Sequence, residues 1–353
     1  MNSRERILAT LNGEMPDRVG RSEMFWPETL EAWKTQGLPE DAVPEDHFGL
    51  DITLLPRPDL SFRFPIKVIE ETDEYIIQRD CNGVLRKDFK GKCGYTPHWL
   101  DYKFKTSNDW WTSKEQLAPV DERISPVARE RYDAARSKGR FIAFDCVGPY
   151  EASWRVFGQV GLFTMMMDEP EVVKDMFDTY ADFSISLARK TLDRGIDLDG
   201  AWFFGDLGYR NGTLFSPACY DEMLFPAHKK LCDFFKSVGK PVMLHSCGKI
   251  ESFIPRFIEA GFAAIQPLEA KCGQDVRVLK KLYGDKITLF GNIDVRKLSG
   301  SRDELEEEIE SKMSVAAEGG RYIFHSDHSI PPTVSYNNYR YAVELSEKYG
   351  KYE

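Results

Sequence analysis

The sequence lacks several features that define whole classes of protein. No run approaches the ~18 consecutive apolar residues of a membrane span, and the first residues, MNSRERILATLNG, contain no apolar signal core. There is no block rich in Lys and Arg, and the formal net charge of −10 opposes binding to nucleic acid. The sequence therefore predicts a protein with neither a membrane nor a nucleic acid as partner.

Cysteine is also absent from the patterns in which it usually stabilises a fold. The seven cysteines are an odd number without paired regular spacing, and none belongs to a CxxC pair of the structural zinc type. A disulfide framework is not expected, so the sequence predicts a protein of the reducing cytoplasm. A Gly-rich dinucleotide loop after an early strand is missing too, which disfavours a doubly wound nucleotide-binding sheet.

What the sequence does contain is a repeated alternation of apolar strand and amphipathic helix. The predicted helices between the strands mostly close on Gly or Asp, as helix stop signals do. Two early extended segments and six later ones make eight predicted strands. They are 18–25, 51–58, 141–148, 199–206, 241–247, 263–269, 287–294 and 321–327.

Eight strands alternating with helices predict an α/β protein with a parallel sheet, closed as a (β/α)₈ TIM barrel. The barrel is predicted to be a single domain over residues 1–353, with an N-terminal helical segment before the first strand. Residues of about 60–120 are predicted to be an insertion. Its first part alternates like a β-hairpin, and Asn82-Gly83 is a strong turn signal. A doubly wound open sheet is the competing architecture.

Histidine is scarce, and three of the six histidines lie in two predicted strand ends. His245 and Cys247 are two residues apart on one strand, so their side chains share a face and can bind one ion. His328, where the last strand breaks in FHSDHSIPP, supplies a third ligand. Three protein ligands with an open position are typical of catalytic zinc, and mixed nitrogen and sulfur donors suit Zn²⁺. Asp327 is predicted to be an alternative ligand or a hydrogen-bond partner of one.

A series of segments occurs in order from residue 4 to about residue 340: RERILATLNGEMPDRV, FGLDI, VGPYEASWRVFG, GDLGYRNGTLFSP, MLHSCGKI, LFGNID and GGRYIFHSDHSIPPTVSYNNY. In these segments the chain resembles the uroporphyrinogen decarboxylase superfamily, which also contains corrinoid-dependent methyltransferases. The resemblance implies a TIM barrel, in agreement with the strand count. It also implies an enzyme and a homodimer.

One branch of this family, the decarboxylases, carries an arginine-rich RQAGRYLPE motif after the first strand. This chain has GRSEMFWPE there, in which Arg21 is followed by Glu23, Phe25 and Trp26. An acidic and aromatic segment opposes the binding of a porphyrinogen with eight carboxylates, because such a substrate needs a cationic pocket. The other branch, the methyltransferases, uses an H-x-C pair and a later cysteine to bind zinc.

His245 and Cys247 match this pair, and His328 occupies the place of the later cysteine. The resemblance then implies that zinc polarises the heteroatom of a small methylated substrate while a corrinoid (cobalamin) exchanges the methyl group. The chain has no D-x-H-x-x-G corrinoid-binding sequence, so the corrinoid is expected on a separate protein docked over the barrel mouth. The methyl donor is predicted to be a methoxylated aromatic or a methylated amine, and the reverse direction of transfer stays open.

Other residues are predicted to contact the substrate. Asp206 and Glu151 are the candidate catalytic residues, for substrate contact or proton handling. Aromatic residues favour a methoxylated aromatic ether or, through cation–π contacts, a quaternary amine. The predicted substrate-binding residues are Phe25, Trp26, Tyr150, Trp154, Phe203 and Asn292.

Two alternatives remain open from the sequence. One is a metal-free decarboxylase or other lyase in which Asp51 and His328 handle protons. The other is a non-catalytic binding protein that has kept the barrel. In both, Cys247 is a small core residue and His245 is hydrogen-bonded nearby.

Overall fold

A computed structural model describes residues 1–91 and 96–352. In these residues the strands are β1 (Gly20–Arg21), β2 (Ile52–Leu54), β3 (Lys67–Glu71), β4 (Tyr75–Arg79), β5 (Leu85–Phe89), β6 (His98–Asp101), β7 (Phe141–Val147), β8 (Gly200–Phe204), β9 (Gly208–Tyr209), β10 (Gly212–Thr213), β11 (Val242–His245), β12 (Ala264–Gln266), β13 (Thr288–Phe290) and β14 (Tyr322–Phe324).

The α-helices of the same residues are α1 (Ser3–Asn12), α2 (Pro27–Lys34), α3 (Pro44–His47), α4 (Ser107–Ser113), α5 (Ala128–Ser137), α6 (Pro149–Phe157), α7 (Gln159–Asp168), α8 (Pro170–Asp193), α9 (Pro217–Cys219), α10 (Phe225–Ser237), α11 (Ile254–Ala260), α12 (Val276–Tyr283), α13 (Val295–Leu298), α14 (Arg302–Ala316) and α15 (Tyr336–Tyr349). Short 3₁₀ turns and one π turn, Tyr220–Leu224, connect some of them. Within the described ranges, no helix combines the length and the apolarity that crossing a bilayer requires.

Eight strands form the predicted parallel sheet, in the order β1, β14, β13, β12, β11, β8, β7, β2. The sheet curves into a nearly closed barrel, which confirms the predicted fold class. One apolar core lies between the strands and the surrounding helices, and a smaller one fills the barrel. The smaller core consists of Ile7, Leu11, Ile52, Phe141, Ala143, Trp202, Met243, Ala264, Phe290 and Ile323.

The seam between β1 and β2 is closed by hydrogen bonds around one carboxylate. The Asp51 N–H donates to the Arg21 carbonyl over 2.7 Å, and the Arg21 N–H donates to Asp51 Oδ2 over 2.8 Å. The same carboxylate accepts hydrogen bonds from Arg6 Nη1 at 2.8 Å and Arg18 Nη1 at 2.9 Å, and from Ser3 Oγ at 2.6 Å. We call these residues the Asp51 cluster.

The position of Asp51 corrects one sequence-based expectation. Asp51 precedes β2, so it lies at the N-terminal end of the barrel strands and not at the mouth, where the decarboxylase alternative needs it. Its side chain is fully buried and is surrounded by cations that are already hydrogen-bonded to it. The prediction that Asp51 lies at the barrel mouth is therefore wrong, because Asp51 precedes β2 and does not follow it.

The insertion is larger than the predicted hairpin. Strands β3 to β6 form a separate antiparallel sheet, which we call the insert sheet. The predicted Asn82-Gly83 turn does connect β4 to β5, and Gly83 has a φ of +75°. The sequence pattern missed β6, because this strand is recognisable only through its pairing with β5. The predicted hairpin is therefore part of a four-stranded sheet.

Candidate metal centre and adjoining pocket

The two residues of the H-x-C pair meet at the C-terminal end of β11, inside the barrel mouth. His245 Nε2 lies 3.5 Å from Cys247 Sγ. Two ligand atoms held at ~2.0–2.3 Å by one tetrahedral ion would lie roughly 3.3–3.8 Å apart. The pair therefore has the spacing that one bound ion requires.

Asp206, which follows β8, completes a group of three ligands around the same point. Its Oδ1 lies 3.4 Å from His245 Nε2 and accepts a hydrogen bond of 2.9 Å from the Cys247 N–H. One ligand atom from each of the three residues lies within 4.8 Å of the other two. Burial opposes ionisation of Asp206, but the adjacent His245 ring and the hydrogen bond from the Cys247 N–H outweigh it and lower the pKa of this carboxyl. Asp206 is thus a candidate ligand, whereas the sequence predicts it as a catalytic residue.

A second group of three ligands shares Cys247 with the first. It consists of Cys247, Glu269 and His328, whose ligand atoms also lie within 4.8 Å of one another. His245 and His328 do not occur together in one such group among the described residues. Glu269, at the end of the predicted 263–269 strand, was not among the predicted ligands. His328 packs against Trp26, with ring centroids 5.8 Å apart.

The pKa of the Cys247 thiol indicates how this site would respond to a bound cation. Burial, followed by the negative charges of Asp206 and Glu269, raises the pKa of the Cys247 thiol well above its usual range. A divalent cation would favour the thiolate and offset the repulsion between these groups, since metal binding displaces the thiol proton. Sulfur, imidazole nitrogen and carboxylate oxygen together suit zinc. The residues of the site therefore fit a zinc ion.

Gln266, at the end of β12, orients His245 from behind. The Gln266 side chain is buried and its Oε1 is hydrogen-bonded to His245 Nδ1. Its Nε2 lies 3.1 Å from His325 Nε2, while His325 Nδ1 lies 2.5 Å from the Ser326 carbonyl.

A carbonyl oxygen only accepts, so the His325 proton is on Nδ1 and its Nε2 accepts from the Gln266 amide. This fixes the amide orientation, and Gln266 Oε1 accepts from His245 Nδ1–H. The lone pair of His245 Nε2 is thereby directed at Cys247 and Asp206. The sequence signal for this residue is a single polar side chain in the interior register of the strand AAIQ.

Glu23, which follows β1, ends this buried chain of contacts. Its Oε1 lies 3.3 Å from His325 Nε2, and its two oxygens accept hydrogen bonds from Ser326 Oγ at 2.7 Å and the Ser326 N–H at 3.1 Å. Burial raises the pKa of Glu23 to about 8, and burial lowers the pKa of His325 to about 3. Both side chains are therefore neutral near pH 7.

We expect Glu23→Gln to stabilise the protein increasingly as the pH rises. The folded state holds a proton on Glu23 up to about pH 8, whereas the unfolded chain releases it near its ordinary pKa of 4.5. The contribution of Glu23 to the free energy of unfolding is thus present below the unfolded pKa of 4.5 and is lost as the pH rises from there to about 8. Between about pH 5 and pH 8 the loss is roughly 2–4 kcal/mol, and glutamine does not incur it.

Urea unfolding of both proteins near pH 5 and near pH 8 measures this difference. His325, Asp327 and Tyr339 face Glu23, and they are present in both proteins. Glu344→Gln, at an exposed carboxylate 4.0 Å from Arg340, is the control and should show no such trend. A stability difference that is the same at both pH values would show that Glu23 is ionised in the folded protein.

A pocket of about 780 Å³ opens beside the candidate metal centre and includes Asp206 in its wall. Of the predicted substrate and catalytic residues, Trp154 and Glu151 also line it. Both Glu151 oxygens are engaged, Oε2 by Trp154 Nε1 at 2.8 Å and Oε1 by Arg155 Nε at 2.9 Å. Burial raises the pKa of Glu151. In this arrangement Glu151 positions two pocket side chains.

The remaining predicted substrate residues lie outside this pocket. Phe25 packs in an aromatic cluster with Trp33 and Tyr339, and Tyr150 packs beside Phe163 and Phe215.

Asn292 is buried, and its amide bonds three backbone groups of nearby loops, those of Val276, Leu268 and Gln274. Asp327, the proposed alternative ligand, likewise accepts hydrogen bonds from the backbone N–H groups of Ala270 and Val295 at 3.0 Å. These two polar residues at strand ends hold loops in place.

Phe203 differs from its neighbour Phe204 because side chains alternate along a strand. Phe203 packs against Phe144 and Phe235, outside the barrel. Phe204 points inward, lines the pocket and stacks on His245, with ring centroids 4.7 Å apart. Phe203, the predicted substrate-binding residue, therefore lies outside the pocket. Counting by twos back from Asp206 would have selected Phe204.

The pocket and metal centre lie on a chain that has known relatives. The chain matches a methylcobamide:CoM methyltransferase, MtaA, of Methanosarcina barkeri with 30% identity over 138 residues, 38% of each chain. A uroporphyrinogen decarboxylase of Hydrogenovibrio crunogenus is 25% identical over 198 residues, 53% of this chain and 52% of the relative. The chain thus spans about half or less of the length of these curated relatives.

Two further comparisons concern the fold and the family. A solved methyltransferase from Methanosarcina mazei superposes with a TM-score of 0.71 over 99% of both chains, at 18% identity, and so shares the fold. Residues 131–349, which include His245, Cys247 and His328, match the family described as uroporphyrinogen decarboxylase (URO-D). The chain therefore belongs to the uroporphyrinogen decarboxylase family.

Proposed function

We propose that the protein is a zinc-dependent methyltransferase that moves a methyl group between a small methylated substrate and the cobalt of a separate corrinoid protein. The observation that carries this proposal is the cluster of Asp206, His245 and Cys247, whose donors have the spacing and the chemistry of a zinc site. Relatives named as methyltransferases, together with the shared fold, support the same reaction class.

In the proposed reaction the chain's own residues bind and orient. His245, Cys247 and Asp206 would hold zinc, which supplies Lewis acidity to the heteroatom that carries the methyl group. A corrinoid on the partner protein would supply the electron pair for the new bond to the methyl carbon, and the heteroatom, which keeps the electrons of the broken bond, would take up a proton. His328 stays a candidate ligand, because its ring nitrogen lies within 4.8 Å of the donors of Cys247 and Glu269.

The test combines metal content with methyl transfer. Purified protein supplied with zinc should contain close to one zinc ion per chain. Mixed with cob(I)alamin and a panel of methoxylated aromatics and methylated amines, it should form methylcobalamin, which is followed by its absorbance. Protein that binds no zinc when zinc is supplied would overturn the proposal, and the decarboxylase alternative would then be tested by carbon dioxide release.

Gln266→Leu is expected to weaken zinc binding about 10–100-fold, since removing a group that orients a metal-bound histidine typically has this effect. The substitution removes the acceptor for His245 Nδ1–H and leaves the three proposed ligands in place. Competition with a chromophoric chelator gives the zinc affinity directly.

Gln266→Glu is the matched control, because a carboxylate retains the acceptor for His245. It should bind zinc within a few-fold of wild type. Equal zinc affinities in Gln266→Leu and wild type would show that packing alone orients His245.

A further inference from the structure

The pocket beside the metal centre has one wall that belongs to the insert sheet. Arg86 on β5 and Trp99 on β6 both line it, and these two residues are directly opposite each other in the strand register. Residues opposite each other on neighbouring strands share a face of the sheet. One face of the insert sheet thus presents a guanidinium and an indole side by side to the pocket.

We propose that this pocket binds an aromatic ring bearing a carboxylate, and that Arg86 of the insert sheet selects the carboxylate. The inference rests on the proposed function, because Asp206 is both a pocket residue and a proposed zinc ligand. It narrows the substrate from a methoxylated aromatic or a methylated amine to an anionic aryl ether.

Arg86 and Arg155 each use part of the guanidinium group to pair with a carboxylate of the protein, and each leaves other guanidinium nitrogens available to a ligand. Arg155 directs Nε and Nη2 to Glu151 Oε1, at 2.9 and 2.8 Å. Arg86 Nε lies 2.9 Å from Asp88 Oδ2, an ion pair without a hydrogen bond. In the part of the chain that the structure describes, Arg155 Nη1 and both terminal nitrogens of Arg86 have no protein partner. A guanidinium with an open edge is suited to a carboxylate.

The pocket does not offer a matching site for a cation. Both Glu151 oxygens are engaged by Trp154 and Arg155, and Asp206 is assigned to the metal. Among the described pocket residues, no other side chain carries a negative charge. A quaternary ammonium group would therefore meet two guanidinium groups without a free carboxylate.

Aromatic side chains supply the surface for a flat ring. Trp99 and Trp154 meet edge to face with centroids 5.7 Å apart, and Phe204, which also lines the pocket, stacks on His245. The guanidinium of Arg155 stands 5.8 Å from the Phe204 ring and that of Arg57 stands 5.0 Å from it. Pockets of this volume with aromatic walls and a few polar groups are typical of sites for small organic ligands.

Calorimetric titration of the full chain, with zinc supplied, tests the proposal with three probes: 4-methoxybenzoate, 4-methoxybenzamide and tetramethylammonium. The benzoate should bind about 10–100-fold more tightly than the neutral amide, since a charge-assisted hydrogen bond contributes this much. Tetramethylammonium should bind more weakly than the benzoate. Equal affinity for the benzoate and the amide, or tighter binding of tetramethylammonium, would overturn the proposal.

Arg86→Gln should abolish most of the preference for the benzoate. Arg79→Gln is the matched control, an arginine on the adjacent strand β4 that bonds Gly83 and Asp101 and does not line the pocket. The wild-type titrations are repeated after zinc is removed by a chelator. If the preference vanishes with the zinc while persisting in Arg86→Gln, the carboxylate binds the metal and the proposal is wrong.

These results also separate the two proposals. Carboxylate-selective binding without methyl transfer would leave the pocket inference standing and remove the methyltransferase. Methyl transfer from a neutral ether or an amine, without a preference for carboxylates, would do the opposite. The ligand comparison on wild-type protein decides the question even if Arg86→Gln does not fold.

Discussion

Cys247→Ala is expected to lose its zinc and to transfer methyl groups at a rate lower by on the order of a thousandfold or more. Cys247 is the one residue common to both groups of candidate ligands, so no alternative set in the described chain keeps three donors without it. Lewis-acid polarisation supplies several kcal/mol to such reactions, and each 1.36 kcal/mol changes a rate tenfold. Elemental analysis of the purified variant and the cob(I)alamin assay measure both effects.

Cys219→Ala provides the control, since Cys219 is a partly buried cysteine on α9 and belongs to neither ligand group. It should keep both its zinc and its activity. A Cys247→Ala protein that retained stoichiometric zinc would show that the metal is held by other residues. Retained activity without zinc would contradict the mechanism itself.

Asp51→Asn is expected to destabilise the folded protein by about 3–5 kcal/mol, the range found when one partner of a buried ion pair is removed. The substitution leaves the guanidinium groups of Arg6 and Arg18 facing a neutral amide, and Arg6 is almost fully buried. An amide nitrogen also cannot accept hydrogen bonds, so some of the five donor groups around this side chain lose their partner. Urea unfolding at neutral pH measures the change.

Asp133→Asn is the comparison for this experiment. Asp133 pairs with Arg129 one turn away on α5, and both side chains are more than half exposed. Exposed pairs contribute little, so its stability should stay within ~0.5 kcal/mol of wild type. A loss below about 1 kcal/mol in Asp51→Asn would mean that the Asp51 cluster is not what closes the seam.

The barrel was predictable because its signal is local and repeated. Each strand is a short apolar run with a polar end, and each connecting helix shows its own periodicity and stop signal. The H-x-C pair could be found for the same reason, as two residues on one strand with a period of two. His245 and Cys247 lie as this spacing requires.

The partners of that pair could not be found in this way. Asp206 and Glu269 approach Cys247 from other strand ends, and only closure of the barrel brings them together. Gln266 contacts His245 across neighbouring strands, through a pairing that no local pattern reports.

The insert sheet could not be fully predicted from the sequence for a related reason. Arg86 lies on β5, in the alternating segment that predicts a β-hairpin. Its position opposite Trp99 depends on the pairing of β5 with β6, which the sequence pattern does not predict. Of the aromatic residues predicted to bind the substrate, Trp154 lines the pocket. Residues 92–95 of the insert, between β5 and β6 in the sequence, lie outside the described part of the chain.

The Asp51 cluster gives the barrel an unusual kind of closure. Its eight strands are joined by seven ladders, and the eighth junction consists of one backbone hydrogen bond, from the Asp51 N–H to the Arg21 carbonyl, and the ion pairs of the Asp51 carboxylate. Apart from that one backbone bond, the ring is held at this junction by side chains of α1 and by Arg18, which follows it. Fraying of the N-terminal segment would open the ring without breaking any ladder, a local transition that costs less than global unfolding. Because Glu23 lies two residues after β1, movement of this strand would reach the chain of contacts that connects Glu23, through His325 and Gln266, to His245.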